Sequence, residues 1–176
     1  MPILAEPSAK PRSLSAAEYR EAMSRLGAAV SVITPDGPAG PSGVTASAVC
    51  SVTDSPPTLL VCLNRNASAS PSVHANGVIC VNVLSDDQLK IATLFGGKTP
   101  MAERFAVGTW ARAETGALRS EGALVAFDCR IERVVDVGTH AVLFCEVVAV
   151  HLGRGGRALL YFGRAYHGLG ETGLDR

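Results

Sequence analysis

The stretch GVTASAVCSVTDSPPTLLVCLNRNASAS, Gly43 to Ser70, decides how the chain is read. Its first half sets small and hydroxylated residues, Gly43, Thr45, Ala46, Ser47 and Ala48, among enough Val and Thr to make a strand. Alternation with period two puts Thr45, Ser47 and Val49 on one side and Ala46, Ala48 and Cys50 on the other. Side chains this small leave room on a face, where a flat ligand lies against hydroxyls and backbone amides. Asp54-Ser55-Pro56-Pro57 is a turn, and the apolar run Thr58 to Leu63 is a second strand. That strand delivers Asn64, Arg65, Asn66, Ser68 and Ser70, one fixed positive charge among hydroxyls and amides. Charge-assisted bonds of about 1.5–3 kcal/mol each favour an anionic oxygen there. The two segments together suit a flat ring joined to a phosphate. The plainer reading of the same residues is a close-packed strand followed by a solvated loop.

Outside this stretch the composition narrows the classes. A chain of 176 residues suits one domain with a real core. With 47% hydrophobic residues, 18% charged residues and a formal net charge of zero, disorder and a nucleic-acid footprint are both disfavoured, and small molecules are the expected partners. No apolar run approaches a membrane span, and Met1 to Arg12, with prolines at 2, 7 and 11, lacks the apolar core of a signal peptide, so the expectation is a cytoplasmic protein with no membrane partner. The five cysteines, Cys50, Cys62, Cys80, Cys129 and Cys145, lack CxxC spacing and sit in apolar runs. They read as buried reduced thiols, and no metal site is indicated.

Residues 1–14 and 170–176 read as tails around a single domain, 15–169. Ser15 and Glu18 form a capping box that opens a helix with Tyr19, Met23 and Leu26 as its apolar stripe and Gly27 as its left-handed stop. Ala28 to Thr34 is a strand and Pro35-Asp36-Gly37 a tight turn. Ser70-Pro71 caps a short helix that ends at Gly77, and Val78 to Leu84 is a buried strand. Ser85 to Gln88 is a second capping box, for a helix that stops at Phe95-Gly96-Gly97-Lys98. This Gly-Gly-Lys lacks the spacing of a phosphate-binding Walker loop and reads as a helix end. Thr99-Pro100 begins a short helix through Phe105, and Trp110 belongs to an edge strand. Phe127, Cys129 and Ile131 alternate with Asp128, Arg130 and Glu132, which predicts a strand with one wet face. Ala141 to Val150, apolar on both faces but for Glu146, predicts a strand covered on both sides, the second cover being another subunit. Ala158 to Phe162 is a last strand. Many short strands with few short helices predict a mainly β fold, a barrel with helical crossings, and no GxGxxG supports a Rossmann sheet. Of the four histidines, His74 and His151 read as structural, and none is spaced as a metal set.

Five separated motifs, TASAVCSVTDSPP, LNRNAS, LFGGK, VGTH and YFGRAYH, follow in one order along the chain. On these, over about residues 16 to 169, the chain resembles the short-chain flavin reductases, the reductase components of two-component flavin monooxygenases. Within them it is most similar to the NADH-dependent FMN reductases of pyrimidine utilisation. The resemblance implies the FMN-binding split β-barrel, Greek-key in type, as a homodimer with flavin near the subunit interface. It further implies that Thr45, Ala46, Ser47, Ala48 and Ser51 hold the flavin ring and ribityl chain, that Asn64, Arg65, Ser68 and Ser70 hold its phosphate, and that Phe95, Gly96 and Gly97 touch the flavin. His140, in VGTH, and Tyr166 and His167, in YFGRAYH, are implied to shape the nicotinamide site. The flavin is expected to be FMN, with FAD as the alternative, and NADH the co-substrate. Hydride transfer between two cofactors needs positioning more than an acid or base, so no catalytic side chain is expected. Reduced flavin would then pass to a separate monooxygenase. The barrel alone also allows a flavin-binding or electron-carrying protein without nicotinamide turnover, or a pyridoxamine-phosphate oxidase-like enzyme, though the motifs match the reductases better.

Overall fold

The computed structural model describes residues 13–170, so the tails expected over 1–14 and 170–176 lie almost wholly outside the described residues. Helix α1 (Ala16–Met23) opens on the expected capping box, with Glu18 N–H donating to Ser15 Oγ at 3.2 Å and Ser15 N–H to the Glu18 carboxylate at 3.0 Å. It ends at Ser24 in the right-handed region rather than at a left-handed Gly27, because the Ser24 N–H already bonds back to Arg20 and Ala22. Strands β1 (Ala28–Ala29), β2 (Ser31–Thr34), β3 (Val44–Ala46), β4 (Val49–Asp54) and β5 (Pro57–Asn64) follow. Helix α2 (Ser70–Asn76) has Ala69, not Ser70, at its N-cap and ends on left-handed Gly77. Next come β6 (Val78–Val83), a 3₁₀ turn at Asp86–Gln88, α3 (Leu89–Gly96), α4 (Met101–Phe105), β7 (Trp110–Arg112) and β8 (Leu118–Ser120). The chain closes with β9 (Val125–Val137), β10 (His140–Leu152), β11 (Ala158–Phe162) and β12 (Ala165–Leu169).

One strand was expected from Val44 to Asp54; there are two, and their separation closes the fold. The seven-stranded antiparallel sheet has the order β3-β2-β6-β9-β10-β5-β4, so β3 and β4 are its opposite edges. Ser47 and Ala48 alone separate them, which limits Ala46 to within ~11 Å of Val49. A sheet whose two edges lie this close has curled into a barrel. The Cys62 N–H bonds the Ala48 carbonyl at 2.9 Å and pins the crossing. This is the expected split barrel. Inside it Ile33, Val61, Ile79, Val81, Leu143 and Cys145 are buried together.

The wet face expected for β9 holds for Arg130 and Glu132 but not for Asp128, which is wholly buried. The β7–β8 hairpin covers that end, and Asp128 accepts from Thr115 N–H at 2.7 Å and Thr115 Oγ1 at 2.5 Å. Asn82 pins the same hairpin, accepting from Ser120 N–H at 2.7 Å. Strand β10 is covered on one face only: Ala141, Leu143 and Cys145 are buried, Val142 and Phe144 are half-buried, and Val150 and Leu152 are exposed. The apolar stripe of α1 is likewise exposed at Tyr19, Met23 and Leu26. Three cysteines are buried as expected; Cys62 is half-buried and Cys50 exposed, because β4 is an edge strand whose outward residues have no neighbour.

A second core, of Val30, Leu84, Ile91, Phe95 and Leu159, sits under α3 and α4. Phe95, Phe105 and Trp110 form a ring cluster with centroids 5.0–5.4 Å apart. Gly43 is needed there, since a Cβ would fall 2.4 Å from the Phe95 ring. Strand β12 was not expected as a strand. It pairs with β11 through a two-residue turn in which Gly163 (φ 58°) and Arg164 (φ 65°) are both left-handed, a hairpin geometry normally signalled by Asn-Gly.

Candidate functional site

Three hollows adjoin one another through shared lining residues. The first, about 390 Å³, is lined by residues including Asn66, Ser68, Gly96, Gly97, Lys98 and Arg104. The second, about 200 Å³, is lined by Val30, Thr45, Ala46, Ser47, Gly96, Tyr161 and Tyr166. The third, about 850 Å³, lies between α1, the β4–β5 hairpin and the β11–β12 turn. Gly96 borders the first two, and Ser47 and Tyr161 border the last two, so the three form one trough.

The α3–α4 connection builds the first hollow. Arg104, 4% exposed, donates from Nε to Thr99 O at 2.7 Å, from Nη1 to Gly43 O at 3.2 Å and Phe95 O at 3.3 Å, and from Nη2 to Gly97 O at 3.0 Å. These bonds fix Gly96-Gly97-Lys98 against β3. Among the described residues no carboxylate pairs with Arg104 or Lys98. A desolvated cation without a counter-ion is costly, so the hollow beside it favours an anion.

At the second hollow the Thr45 hydroxyl donates to Ala92 O at 2.7 Å, tying β3 to α3. Ser47 and Ala48, in the gap between β3 and β4, are exposed, and their N–H groups donate no hydrogen bond within the described residues. Two free amides beside small side chains are donors for the carbonyl and ring-nitrogen edge of a flat heterocycle. Tyr166 packs edge-on to Tyr161 at 5.3 Å, and partial burial followed by Tyr161 raises its phenol pKa, which keeps the hydroxyl neutral. An anion hollow joined to an amide-lined ring trough fits a flavin mononucleotide.

The predicted site residues divide. Thr45, Ala46, Ser47, Gly96 and Tyr166 meet at the second hollow, Ala48 faces the third, and Ser68 and Gly97 line the first. Phe95 borders the first hollow while its ring fills the second core. Ser51 lies exposed on β4 beyond the trough. Ser70 is buried at the head of α2. Asn64 is turned to its own loop, its Oδ1 accepting from Asn66 N–H at 2.9 Å. Arg65 donates to Asp136 at 3.0 Å, both side chains exposed, and lines none of the three hollows. Of the nicotinamide set, His140 pairs with Asn64 in register, Tyr166 with Tyr161, and His167 bonds the Phe162 carbonyl at 3.0 Å. Sequence reasoning missed Lys98, set aside as a helix end, and Arg104, which no local pattern marks as buried. It also missed Arg20 and Arg164, at the third hollow.

This barrel and this trough define a protein of the flavin reductase class. The chain belongs to the flavin reductase like domain family, whose model matches residues 23–170. An FMN reductase (NADH) RutF of Ancylobacter novellus is 58% identical over 165 residues, covering 94% of this chain and 91% of that protein. BorF, the flavin reductase component of a bacterial two-component tryptophan halogenase, superposes with a TM-score of 0.83 at 30% identity, over 90% of this chain and 100% of BorF. The Streptomyces globisporus NADH:FAD oxidoreductase SgcE6, in complex with NAD and FAD fragments, superposes with a TM-score of 0.79 at 27% identity, over 86% of this chain and 90% of that one.

Proposed function

We propose that the protein is an NADH-dependent FMN reductase that releases reduced flavin to a separate monooxygenase, with pyrimidine degradation as the setting its motifs imply. The observation that carries this reading is the trough, whose anion hollow at Lys98 and Arg104 runs into the free amides of Ser47 and Ala48. Lys98, Ser68 and the Gly96-Gly97 backbone would hold the phosphate, and Arg104 positions them. Thr45 to Ala48 would receive the ring, with Tyr166 against it. Bound flavin supplies the acceptor for the hydride of the dihydronicotinamide, so NADH, a proton and FMN become NAD⁺ and reduced FMN. The chain's work is to stack the two rings and exclude water, and no side chain changes protonation state. FMN is favoured over FAD by the name of the 58% identical relative, against an FAD enzyme at 27%.

A homodimer completes the reading. The outer face of β9–β10 presents Val135 and Val137, both exposed, beside half-buried Val142, an apolar surface that a second copy would cover. It would also let His140 of one chain approach the ring trough of the other. Among the described residues no helix is long and apolar enough to cross a membrane. Five free cysteines suit the reducing cytoplasm, our proposed location. The test is NADH oxidation with catalytic FMN in air, beside blanks without flavin and without protein. Flavin-dependent turnover supports the reductase, and flavin binding without turnover would leave an electron-carrying or binding module.

A further inference from the structure

The five thiols fall into two sets. Cys80, Cys129 and Cys145 are buried in the core, whereas Cys50 and Cys62 both line the third hollow, a cleft that meets the ring trough at Ser47. Their placement follows from the register. Cys50 on β4 faces Leu60 on β5, and the Cys62 N–H bonds Ala48 O at 2.9 Å, so the two cysteines are diagonal neighbours on adjacent strands. Alternation gives them one face: Leu59, Val61 and Leu63 are buried inside the barrel, while Leu60 and Cys62 lie on the outer side with Cys50. Neither sulfur is tied across the strands. Cys50 Sγ donates to the adjacent Ser51 carbonyl at 3.2 Å, and Cys62 Sγ makes no hydrogen bond among the described residues. Diagonal neighbours have Cα atoms ~7–8 Å apart, slightly more than the ~4.4–6.8 Å of a disulfide. Strand β4 can make up the difference, because it is an edge strand whose register with β5 slips between Ser51 and Thr53, next to Cys50.

We propose that Cys50 and Cys62 form a peroxide-sensitive thiol pair that closes to a disulfide and so disables the ring trough. Only the source of the oxidant rests on the reductase reading. Reduced flavin that meets dioxygen before it meets a monooxygenase gives up two electrons and two protons, yielding oxidised flavin and hydrogen peroxide. The sulfur of exposed Cys50 attacks one peroxide oxygen, the O–O bond breaks, and water leaves as Cys50 becomes a sulfenic acid. Half-buried Cys62, in register with Val142 on its other side, then attacks the sulfenic sulfur, and a second water leaves as the S–S bond forms. In sum the two thiols lose two electrons and two protons, and one peroxide becomes two waters. The bridge draws β4 towards Cys62, and Ala48 and Ser47, just before β4, shift with it, so the free amides leave the position that receives the ring. Less reduced flavin then forms, and with it less peroxide.

The test exposes reduced wild type, Cys50→Ser and Cys62→Ser to hydrogen peroxide and reads peptide masses, then NADH oxidation with saturating FMN. The wild type should lose two hydrogens across the Cys50 and Cys62 peptides, with turnover falling about tenfold and returning with dithiothreitol. Cys62→Ser should stop at a Cys50 sulfenic acid that dimedone traps, and Cys50→Ser should show equal rates with and without peroxide. The wild-type mass map stands whether or not either variant folds. In turnover under air with no peroxide added, the same bridge should form and catalase should prevent it. A bridge between two copies, a sulfinic acid on Cys50 beside a free Cys62, or earlier oxidation of a buried thiol would overturn the pair, as would a bridged wild type that keeps its full rate. A bridge made by added peroxide in a protein that oxidises no NADH would sink the reductase reading and leave the thiol pair standing.

Discussion

The two ends of the trough are built in opposite ways. At the end proposed for the phosphate the cation is interior: Arg104 is buried and its guanidinium is committed to four backbone carbonyls, those of Phe95, Gly97 and Thr99 and that of Gly43. At the cleft end the cations are exterior, carried by an eight-residue helix with no buried residue and by a hairpin turn. An interior cation loses little entropy on meeting its anion, because its rotamer is already fixed. Exterior arginines must be ordered each time, which lowers affinity and speeds release. The difference is between a preformed grip for an anion at one end and exposed cations at the other.

The largest effect expected from breaking this contrast is at Arg104. Arg104→Ala strands four carbonyls and should cost about 3 kcal/mol or more of stability, with FMN binding lost, read by thermal melts and flavin titration. Arg104→Lys restores charge but not the fork, so FMN affinity should stay low. A lysine variant with wild-type affinity would show that charge alone matters there.

The thiols sharpen the same contrast between interior and cleft. Burial raises the pKa of Cys145 to about 12, and raises Cys80 and Cys129 still more, helped by Asp128 at Cys80 and by the Cys145 and Cys80 thiols at Cys129. A raised folded pKa means the folded state holds its proton after the unfolded chain has lost it, so stability is intact below about pH 9 and falls as pH climbs towards 12. Each buried thiol should cost about 1.4 kcal/mol per pH unit in that window, measured by denaturant melts at pH 8 to 11. At neutral pH a thiol reagent should label Cys50 first and leave Cys80, Cys129 and Cys145 silent until unfolding. Labelling of the buried three in the native protein would contradict the core described.

Arg65 marks the smallest expected effect. As half of an exposed pair with Asp136, it is worth about 0.2–1 kcal/mol, and Arg65→Ala should change FMN affinity less than about fivefold. A tenfold loss or more, in flavin titrations, would return the phosphate to the Asn64–Ser70 loop.

Much of the barrel was legible because it is written in local patterns: the Ser15 capping box, the Pro57 to Asn64 strand and the left-handed Gly77 all lie where side-chain periodicity and turn chemistry put them. The small residues Thr45 to Ala48 do border hollows, but the break between β3 and β4 among them was not legible. What was not legible depends on contacts distant in sequence. Asp128 looked wet because the hairpin that buries it, Trp110 to Ser120, comes earlier in the chain and is held by Asn82. Strand β12 was missed because its turn uses Gly-Arg. Lys98 and Arg104 carry no local signal, since the guanidinium of Arg104 is held by carbonyls of its own connection and by that of Gly43, 61 positions away.

The measurement that tests the account most directly is the KM for FMN and for riboflavin, in NADH oxidation by the wild type and by Lys98→Ala. Riboflavin differs from FMN by the phosphate alone. The wild type should favour FMN by about tenfold or more, and Lys98→Ala should largely remove that preference by raising the KM for FMN while leaving that for riboflavin in place. An unchanged preference for FMN in Lys98→Ala would contradict the phosphate site drawn here.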